Sequence, residues 1–194
     1  MALLAGQVTI EHREILLKDR PEALYSISKK GTVPVLYIDS STIIDESLDI
    51  MIWVIDKCSL DWLEYDKKIQ LEKIAINDLD FKYWLDRYKY HDRYPESSYD
   101  FYQQECKNFL LQYESLLENN TFLCGDKLQG LDIAVFPLIR QCAHIDIKWF
   151  ERELPALYIW LELLKSSSLF LSIMHKFPIW NQKDKGIITN YKNL

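Results

Sequence analysis

Short apolar runs and polar turns alternate at the start of the chain, and longer helical patterns follow. The most regular stretch has two β-branched, apolar runs, Val35–Ile38 and Thr42–Ile44, on either side of a polar turn at residues 39–41. Two such runs around a short turn predict a β-hairpin. A helical pattern begins directly after it, at Leu48, and extends to Lys57.

Pro34 lies at the start of the first apolar run. Because proline has no N–H to donate to a sheet, we expect the strand to begin at Val35 and residues 33–34 to form a bend. An X-Pro bond in such a bend is a natural place for a cis peptide. The bend would leave the amide and carbonyl of Val33 free for an extended ligand. The alternative is an edge-strand proline that blocks aggregation, and the local pattern alone favours it.

Three polar residues, Asp45, Glu46 and Ser47, precede the helix at Leu48. The N-terminus of a helix has free N–H groups and a partial positive charge, so it can hold a carboxylate. Glu46 could accept hydrogen bonds from an ammonium group, and Ser47 offers a hydroxyl and an N–H. Together they suit an amino-acid head group. The alternative is ordinary capping of the helix by Asp45.

The other patterns divide the chain into a mixed part and a helical part. Ahead of the hairpin we predict the end of a helix at residues 1–8, a strand at Glu11–Leu17 and a short helix at Pro21–Tyr25. Residues 56–61 form the predicted linker, so that the domains are 1–57 and 62–194. The later predicted helices are Trp62–Tyr88, Tyr99–Leu117, Phe150–Leu164 and Leu169–Phe177. The first has Leu79 on its apolar stripe, with a separate helix starting at Asn77 as the alternative. In the second, Phe101 faces inward.

Composition narrows the function. The 194 residues carry a net charge of −6 without a Lys/Arg block, which argues against nucleic-acid binding. No stretch reaches the roughly 20 apolar residues of a membrane helix, and we expect that the opening residues 1–5 are too short, and lack the positive flank, for a signal peptide. The four cysteines (Cys58, Cys106, Cys124 and Cys142) form no Cys-x-x-Cys pair, and zinc ligation is unsupported. Buried free thiols in a reducing cytoplasm are the expectation.

Two segments together resemble the glutathione S-transferase family, in its omega-like or bacterial cysteine-type branch. The first is Gly31–Leu36, reading Gly-Thr-Val-Pro-Val-Leu, followed by Asp45–Ser47; the second is Leu123–Pro137. The resemblance implies an α/β plus all-α fold, with a thioredoxin-like domain followed by a helical one. In the second segment Asp132 matches the aspartate of the family's capping box, and we interpret it as structural.

The resemblance also implies ligands and site residues. Glutathione would be the co-substrate, and a small electrophile or a disulfide would be the second substrate, in a protein that is usually a homodimer. The backbone of Val33, before a cis Pro34, would pair with the cysteinyl part of glutathione. Glu46 and Ser47 would hold its γ-glutamyl head group, and Arg20 would supply a basic contact. The aromatic-rich segment 83–90 could line a substrate cleft or pack in the core: packing is favoured for Trp84, and Tyr88 and Tyr90 stay open.

The catalytic residue does not follow from the sequence. Members of the family have a further strand in front of the first helix, and this strand leads into the catalytic loop. The present chain is expected to begin inside that first helix, after the strand and the loop. We expect that the natural polypeptide, or its ancestor, has upstream residues that are missing here. No cysteine matches the expected Cys-Pro-aromatic position, so no catalytic residue is assigned. The alternative function is a catalytically inactive binding or scaffold protein with the same fold.

Overall fold

The computed structural model describes residues 1–190, which divide into two compact units. One unit consists of Met1–Leu60 together with residues 168–190, and the other is Asp61–Ser167. This division differs from the predicted one, in which residues 62–194 form a single domain. The difference lies in the C-terminal segment, which packs with the N-terminal unit because it pairs with a strand there.

The first unit combines two small sheets with helices. Its elements are α1 (Ala2–Ala5), β1 (Ile10–His12), α2 (Glu22–Ile27), β2 (Leu36–Asp39), β3 (Thr42–Ile44), α3 (Ser47–Cys58), α10 (Ser168–Ile173) and β4 (Ile187–Thr189). Strands β1 and β4 form one antiparallel pair, and β2 and β3 form the other. No ladder joins β1 to β2 within residues 1–190. Helix α3 buries Ile50, Met51, Val54 and Ile55, which form the centre of this unit's core.

The predicted hairpin is confirmed. Leu36 pairs with Ile44 and Tyr37 with Ile43, and the register shifts before the turn. The Asp39 carboxylate fixes the turn, because it accepts hydrogen bonds from the Ser41 N–H at 2.8 Å and the Ser41 hydroxyl at 2.6 Å. Side-chain bonds of aspartate to the backbone two residues on are a standard turn device.

The predicted strand at Glu11–Leu17 is wrong in its extent, since β1 is only Ile10–His12. The chain turns back at residues 16–19, where the Asp19 N–H donates to the Leu16 carbonyl at 3.1 Å. Leu17, read as part of an apolar run, is 63% exposed. A closed turn at this point prevents the extended backbone from continuing.

The second unit is helical. Its helices are α4 (Lys67–Ile76), α5 (Lys82–Lys89), α6 (Tyr99–Leu117), α7 (Gly130–Ala143), α8 (Ile147–Glu153) and α9 (Pro155–Ser166), with short 3-10 turns at Asp61–Leu63 and His91–Arg93. Helix α7 lies at the centre, and its Leu131, Val135 and Ile139 have no exposed surface. None of the helices in residues 1–190 is long and apolar enough to cross a membrane.

Several details of the helical prediction are corrected. The predicted helix Phe150–Leu164 is two helices, because α8 ends at Glu153 and α9 begins at Pro155. A π-helical turn, Asn77–Phe81, joins α4 to α5 without a break, so no new helix starts at Asn77. This turn widens the helix by a residue and leaves Leu79 73% exposed, away from the core. Helix α6 has the predicted bounds, but its inner face carries Tyr102, while Phe101 is 45% exposed.

Candidate functional site

The bend before β2 contains a cis peptide bond between Val33 and Pro34, as predicted. Gly31 makes the approach to this bend possible. Its φ is +61°, and a Cβ at this position would overlap the Tyr25 ring. Only glycine adopts this conformation at little steric cost, so Gly31 sets the direction in which residues 32–34 leave the turn.

Val33 keeps its backbone polar groups available. It lies outside β2, and neither its N–H nor its carbonyl forms a backbone hydrogen bond within residues 1–190. Its side chain is 44% exposed, and Pro34 is exposed as well. Pro34 stands two residues before the strand rather than inside an edge strand, which favours the ligand-pairing interpretation of this bend.

Within the described residues, the N-terminus of α3 is not capped by its own N-cap side chain. Glu46 is the N-cap residue and its side chain makes no capping hydrogen bond. The alternative in which Asp45 caps the helix is wrong, because the Asp45 carboxylate accepts from the Ser28 hydroxyl at 3.0 Å and from the Lys30 ammonium at 3.4 Å. The first N–H groups of a helix have no intrahelical acceptor, so the exposed Ser47 presents a free N–H and a hydroxyl at a positive helix end.

The sequence interpretation missed Lys30. Its ammonium lies 2.6 Å from a carboxylate oxygen of Glu46, and the hydrogen bond to Glu46 raises the pKa of Lys30. Charge complementarity between the Lys29-Lys30 pair and Asp45-Glu46, which flank the hairpin, was the available signal. Because the Ser28–Asp45 bond holds the two segments together, Lys30 reaches the helix end at which Glu46 stands.

Arg20 lies in a different part of the same unit. It is exposed, and its Nε donates to the Leu17 carbonyl at 3.1 Å within the turn that follows β1. It forms no ion pair with Glu46 among the residues described. The structure therefore joins Glu46 and Lys30 directly and leaves Arg20 with a local contact.

All four cysteines are free thiols. Cys106 and Cys142 are buried, whereas Cys58 and Cys124 are half-buried, which corrects the expectation that all four are buried. Burial raises the pKa of Cys124 to about 11, and the contact with Cys106, together with burial, raises the pKa of Cys142. A nucleophilic cysteine needs a lowered pKa, so neither of these two thiols is set up for catalysis.

An open cleft of about 430 Å³ lies on the helical unit, between α5 and α6. Tyr83 and Trp84 contribute to its wall. Trp84 is half-buried and makes edge contacts with Tyr83 and Phe101, so it combines the two roles considered for it. Tyr88 belongs to the core, where its hydroxyl accepts from Gln103 at 2.7 Å.

Asp132 is buried and structural, as predicted. Its carboxylate accepts hydrogen bonds from the N–H groups of Leu123 at 2.9 Å and Gln129 at 3.0 Å, and from the Trp160 indole at 2.8 Å. Burial raises the pKa of Asp132, and these donors oppose the shift. The carboxylate thus ties the loop before α7 and helix α9 to the start of α7.

Comparison with known protein families gives matches to two consecutive domain models. The N-terminal domain of glutathione S-transferase matches residues 1–60, and the C-terminal domain of glutathione S-transferase matches residues 76–167. The chain belongs to the glutathione S-transferase family. This confirms the resemblance at the level of the family and confirms the fold, a thioredoxin-like N-terminal domain and a helical glutathione S-transferase C-terminal domain.

Solved structures of glutathione S-transferases share this fold at low identity. The transferase URE2P6 from Phanerochaete chrysosporium, in complex with oxidized glutathione, has a TM-score of 0.73 at 18% identity, covering 89% of this chain and 86% of its own. The Tau-class enzyme MiGSTU from mango, Mangifera indica, has a TM-score of 0.72 at 21% identity, covering 90% and 85%. Glutathione S-transferase-I with bound lactoylglutathione has 0.70 at 18% identity and covers 89% of both chains. A comparison with curated proteins finds no match.

Proposed function

We propose that this glutathione S-transferase family member binds glutathione in its N-terminal unit. The observation that carries the proposal is the exposed bend at Val33, whose N–H and carbonyl form no backbone hydrogen bond within residues 1–190. Those two groups suit the peptide backbone of an extended tripeptide, as an added strand would pair with a sheet edge. Two of the similar structures contain glutathione or a derivative of it.

The head group of glutathione is assigned to the start of α3. Its α-carboxylate would accept from the Ser47 hydroxyl and the free N–H groups of the helix end, and Glu46 would accept from its ammonium. Arg20 is retained as a further basic contact of the same ligand. Since Arg20 is exposed and, within residues 1–190, its side chain donates to its own turn, its contribution would come from long-range attraction to the anionic peptide.

The proposed reaction uses the thiol of glutathione itself. The thiol of glutathione first loses its proton to solvent. The thiolate then attacks an electrophilic carbon and forms a thioether while a leaving group such as halide departs with the bonding electrons, or it attacks a disulfide, forming a mixed disulfide and releasing a thiolate. The second substrate is a small electrophile or disulfide. We further propose that the protein is a homodimer with a domain boundary close to residues 57–62. We also propose a cytoplasmic location, which the four free cysteines support.

Binding without turnover is a second candidate. It is supported by the lack of an assigned catalytic residue, since none of the four cysteines matches the Cys-Pro-aromatic position that the resemblance implies. In that case the same site would hold glutathione, and the protein would act as a binding or scaffold module.

Calorimetric titration with glutathione tests the proposal. We expect saturable binding by the wild type, clearly weaker binding by Ser47→Ala and only slightly weaker binding by Glu46→Gln, because Lys30 already pairs with the Glu46 carboxylate. Loss of the Ser47 hydroxyl bond to a carboxylate should weaken binding by about tenfold. Glu118→Gln is the matched control, because Glu118 is an exposed carboxylate at the end of α6 in the other unit.

No heat of binding from the folded wild type, or equal affinities for all four proteins, would contradict the assignment. A conjugation or thiol-transfer assay on the same preparations then separates the two candidates. Turnover with a reactive aryl halide or a mixed disulfide supports the transferase, and binding without turnover of either supports the scaffold.

A further inference from the structure

Lys30 alters the head-group end of the proposed site. Glu46 is the residue assigned to the ammonium of glutathione, yet its carboxylate already has an ammonium partner in the chain itself, at 2.6 Å. The same Lys30 ammonium lies 3.4 Å from Asp45. The cluster therefore contains two carboxylates and one internal cation before any ligand arrives.

Two hydrogen bonds of neighbouring residues fix the position of Lys30. The Gly31 N–H donates to the Ser28 carbonyl at 3.0 Å, closing a turn that contains Lys30. The Ser28 hydroxyl donates to Asp45, the residue before Glu46. The raised pKa of Lys30, caused first by its bond to Glu46, keeps the ammonium charged at neutral pH.

We propose that Lys30 is a specificity-determining residue that competes with the ligand's ammonium for Glu46. As a result, the site also accepts acyl-cysteinylglycine thiols whose head group has a carboxylate but no amino group. The inference rests on the proposed function. The carboxylate of such a ligand keeps the N-terminus of α3 and Ser47 as partners. The ammonium of glutathione adds little affinity, because it must displace Lys30 to pair with Glu46.

The size of the effect follows from the exposure of the pair. Lys30 and Glu46 have side chains that are 55% and 58% exposed. Ion pairs at such exposed positions have small net effects because water and salt screen them. Removing Lys30 should therefore strengthen glutathione binding by about two- to fivefold rather than by orders of magnitude.

The test compares glutathione with des-amino glutathione, in which a glutaryl group replaces the γ-glutamyl group. Affinities of both peptides are measured by calorimetry for the wild type, Lys30→Met, Lys30→Arg and Lys29→Met. We expect the two peptides to bind the wild type within about threefold of each other. In Lys30→Met the preference for glutathione should rise by about two- to fivefold, because Glu46 is then free for its ammonium.

Lys30→Arg keeps a cation beside Glu46 and should restore the wild-type ratio. Lys29→Met removes the neighbouring exposed lysine and should leave the ratio unchanged. If Lys30 acted only on folding, its replacement would change the affinities for glutathione and des-amino glutathione by the same factor. The ratio of the two affinities therefore separates an effect on specificity from an effect on stability.

The outcomes distinguish the inference from the proposed function. If both peptides bind and the ratio is the same in the wild type and Lys30→Met, or if Lys30→Arg behaves like Lys30→Met, the inference is wrong and the glutathione site stands. If the wild type already prefers glutathione by more than tenfold, Lys30 does not compete for Glu46. If neither peptide binds any of the folded proteins, the proposed function itself fails.

Discussion

Asp132 illustrates how far a single residue can be interpreted from sequence. The match of Asp132 to the aspartate of the family's capping box predicted a structural carboxylate. The structure adds the Trp160 indole as a further donor, from helix α9. That contact joins residues 28 positions apart in the sequence, so no local pattern could predict it.

Replacement of Asp132 by alanine should lower the free energy of unfolding by at least about 2 kcal/mol, since buried donors would lose their acceptor. Asp132→Asn retains one oxygen and should cost less. Urea unfolding followed by tryptophan fluorescence measures both. Asp126→Ala, at an exposed position in the same loop, is expected to change stability by less than about 0.5 kcal/mol. Equal stabilities of the two alanine variants would refute the structural role.

The proposed site was only partly predictable at the residue scale. The local pattern made a cis bond before Pro34 reasonable but favoured an edge-strand proline, and the family resemblance implied the cis bond. The polar run at residues 45–47 indicated the helix start. The partner of Glu46 did not follow, because Lys30 reaches it through the fold of the hairpin. The pairing of Lys30 with Glu46 depends on the direction that the backbone takes at Gly31. The glycine in the sequence indicates a turn there but does not determine that direction.

At the scale of elements, helix α6 and strand β1 show when a sequence pattern predicts an element's bounds and when it does not. Helix α6 has its predicted bounds because 19 residues carry a regular apolar stripe that begins after the Ser98 cap. Strand β1 has three residues and pairs with a segment near the other end of the chain. A strand of three residues is too short to show the alternation of apolar and polar residues that predicts strands. The length of β1 is determined by its pairing with β4.

Helices α6 and α8 are joined by an ion pair that makes a pH-dependent prediction. The Lys107 ammonium lies 2.6 Å from Glu153, and this bond, followed by the one from Arg152, lowers the pKa of Glu153. A carboxyl with a lowered folded-state pKa stabilises the fold above its unfolded-state pKa, about 4.3, and loses that contribution as the pH falls through the folded-state value.

Lys107→Met should therefore be less stable than the wild type near neutral pH, and the difference should shrink on acidification below about pH 4. Urea unfolding at several pH values measures it. Lys148→Met, which removes an exposed lysine of α8, is the control and should follow the wild type at every pH. A difference between Lys107→Met and the wild type that is constant with pH would mean that Glu153 is not the partner that matters.

At the scale of the whole molecule, the ends of the described chain meet in one unit. Ile10 pairs with Thr189 and His12 with Ile187. Gly186 makes this approach possible, because a Cβ there would stand 2.6 Å from the His12 carbonyl oxygen. The predicted division at the linker placed everything after residue 61 in the second domain, so it did not include this pairing.

Gly186→Ala should loosen the pairing of β1 with β4, because the added carbon meets backbone that cannot rotate away. Hydrogen exchange of a peptide containing residues 10–12 should become about tenfold faster, which corresponds to ~1.4 kcal/mol of local stability. Lys185→Ala, at the exposed neighbouring position, should leave exchange unchanged. Unchanged exchange in Gly186→Ala would show that this close approach does not occur in solution.

The central claim is that the bend at Val33 and the start of α3 hold glutathione. An NMR titration of the labelled wild type with glutathione tests it most directly, through the backbone amides of Val33 and Ser47. Both signals should shift in a saturable manner with one dissociation constant, while the amide of Leu110, buried in the helical unit, stays in place. Saturating glutathione that leaves Val33 and Ser47 unmoved, or that shifts only signals of the helical unit, would contradict the account.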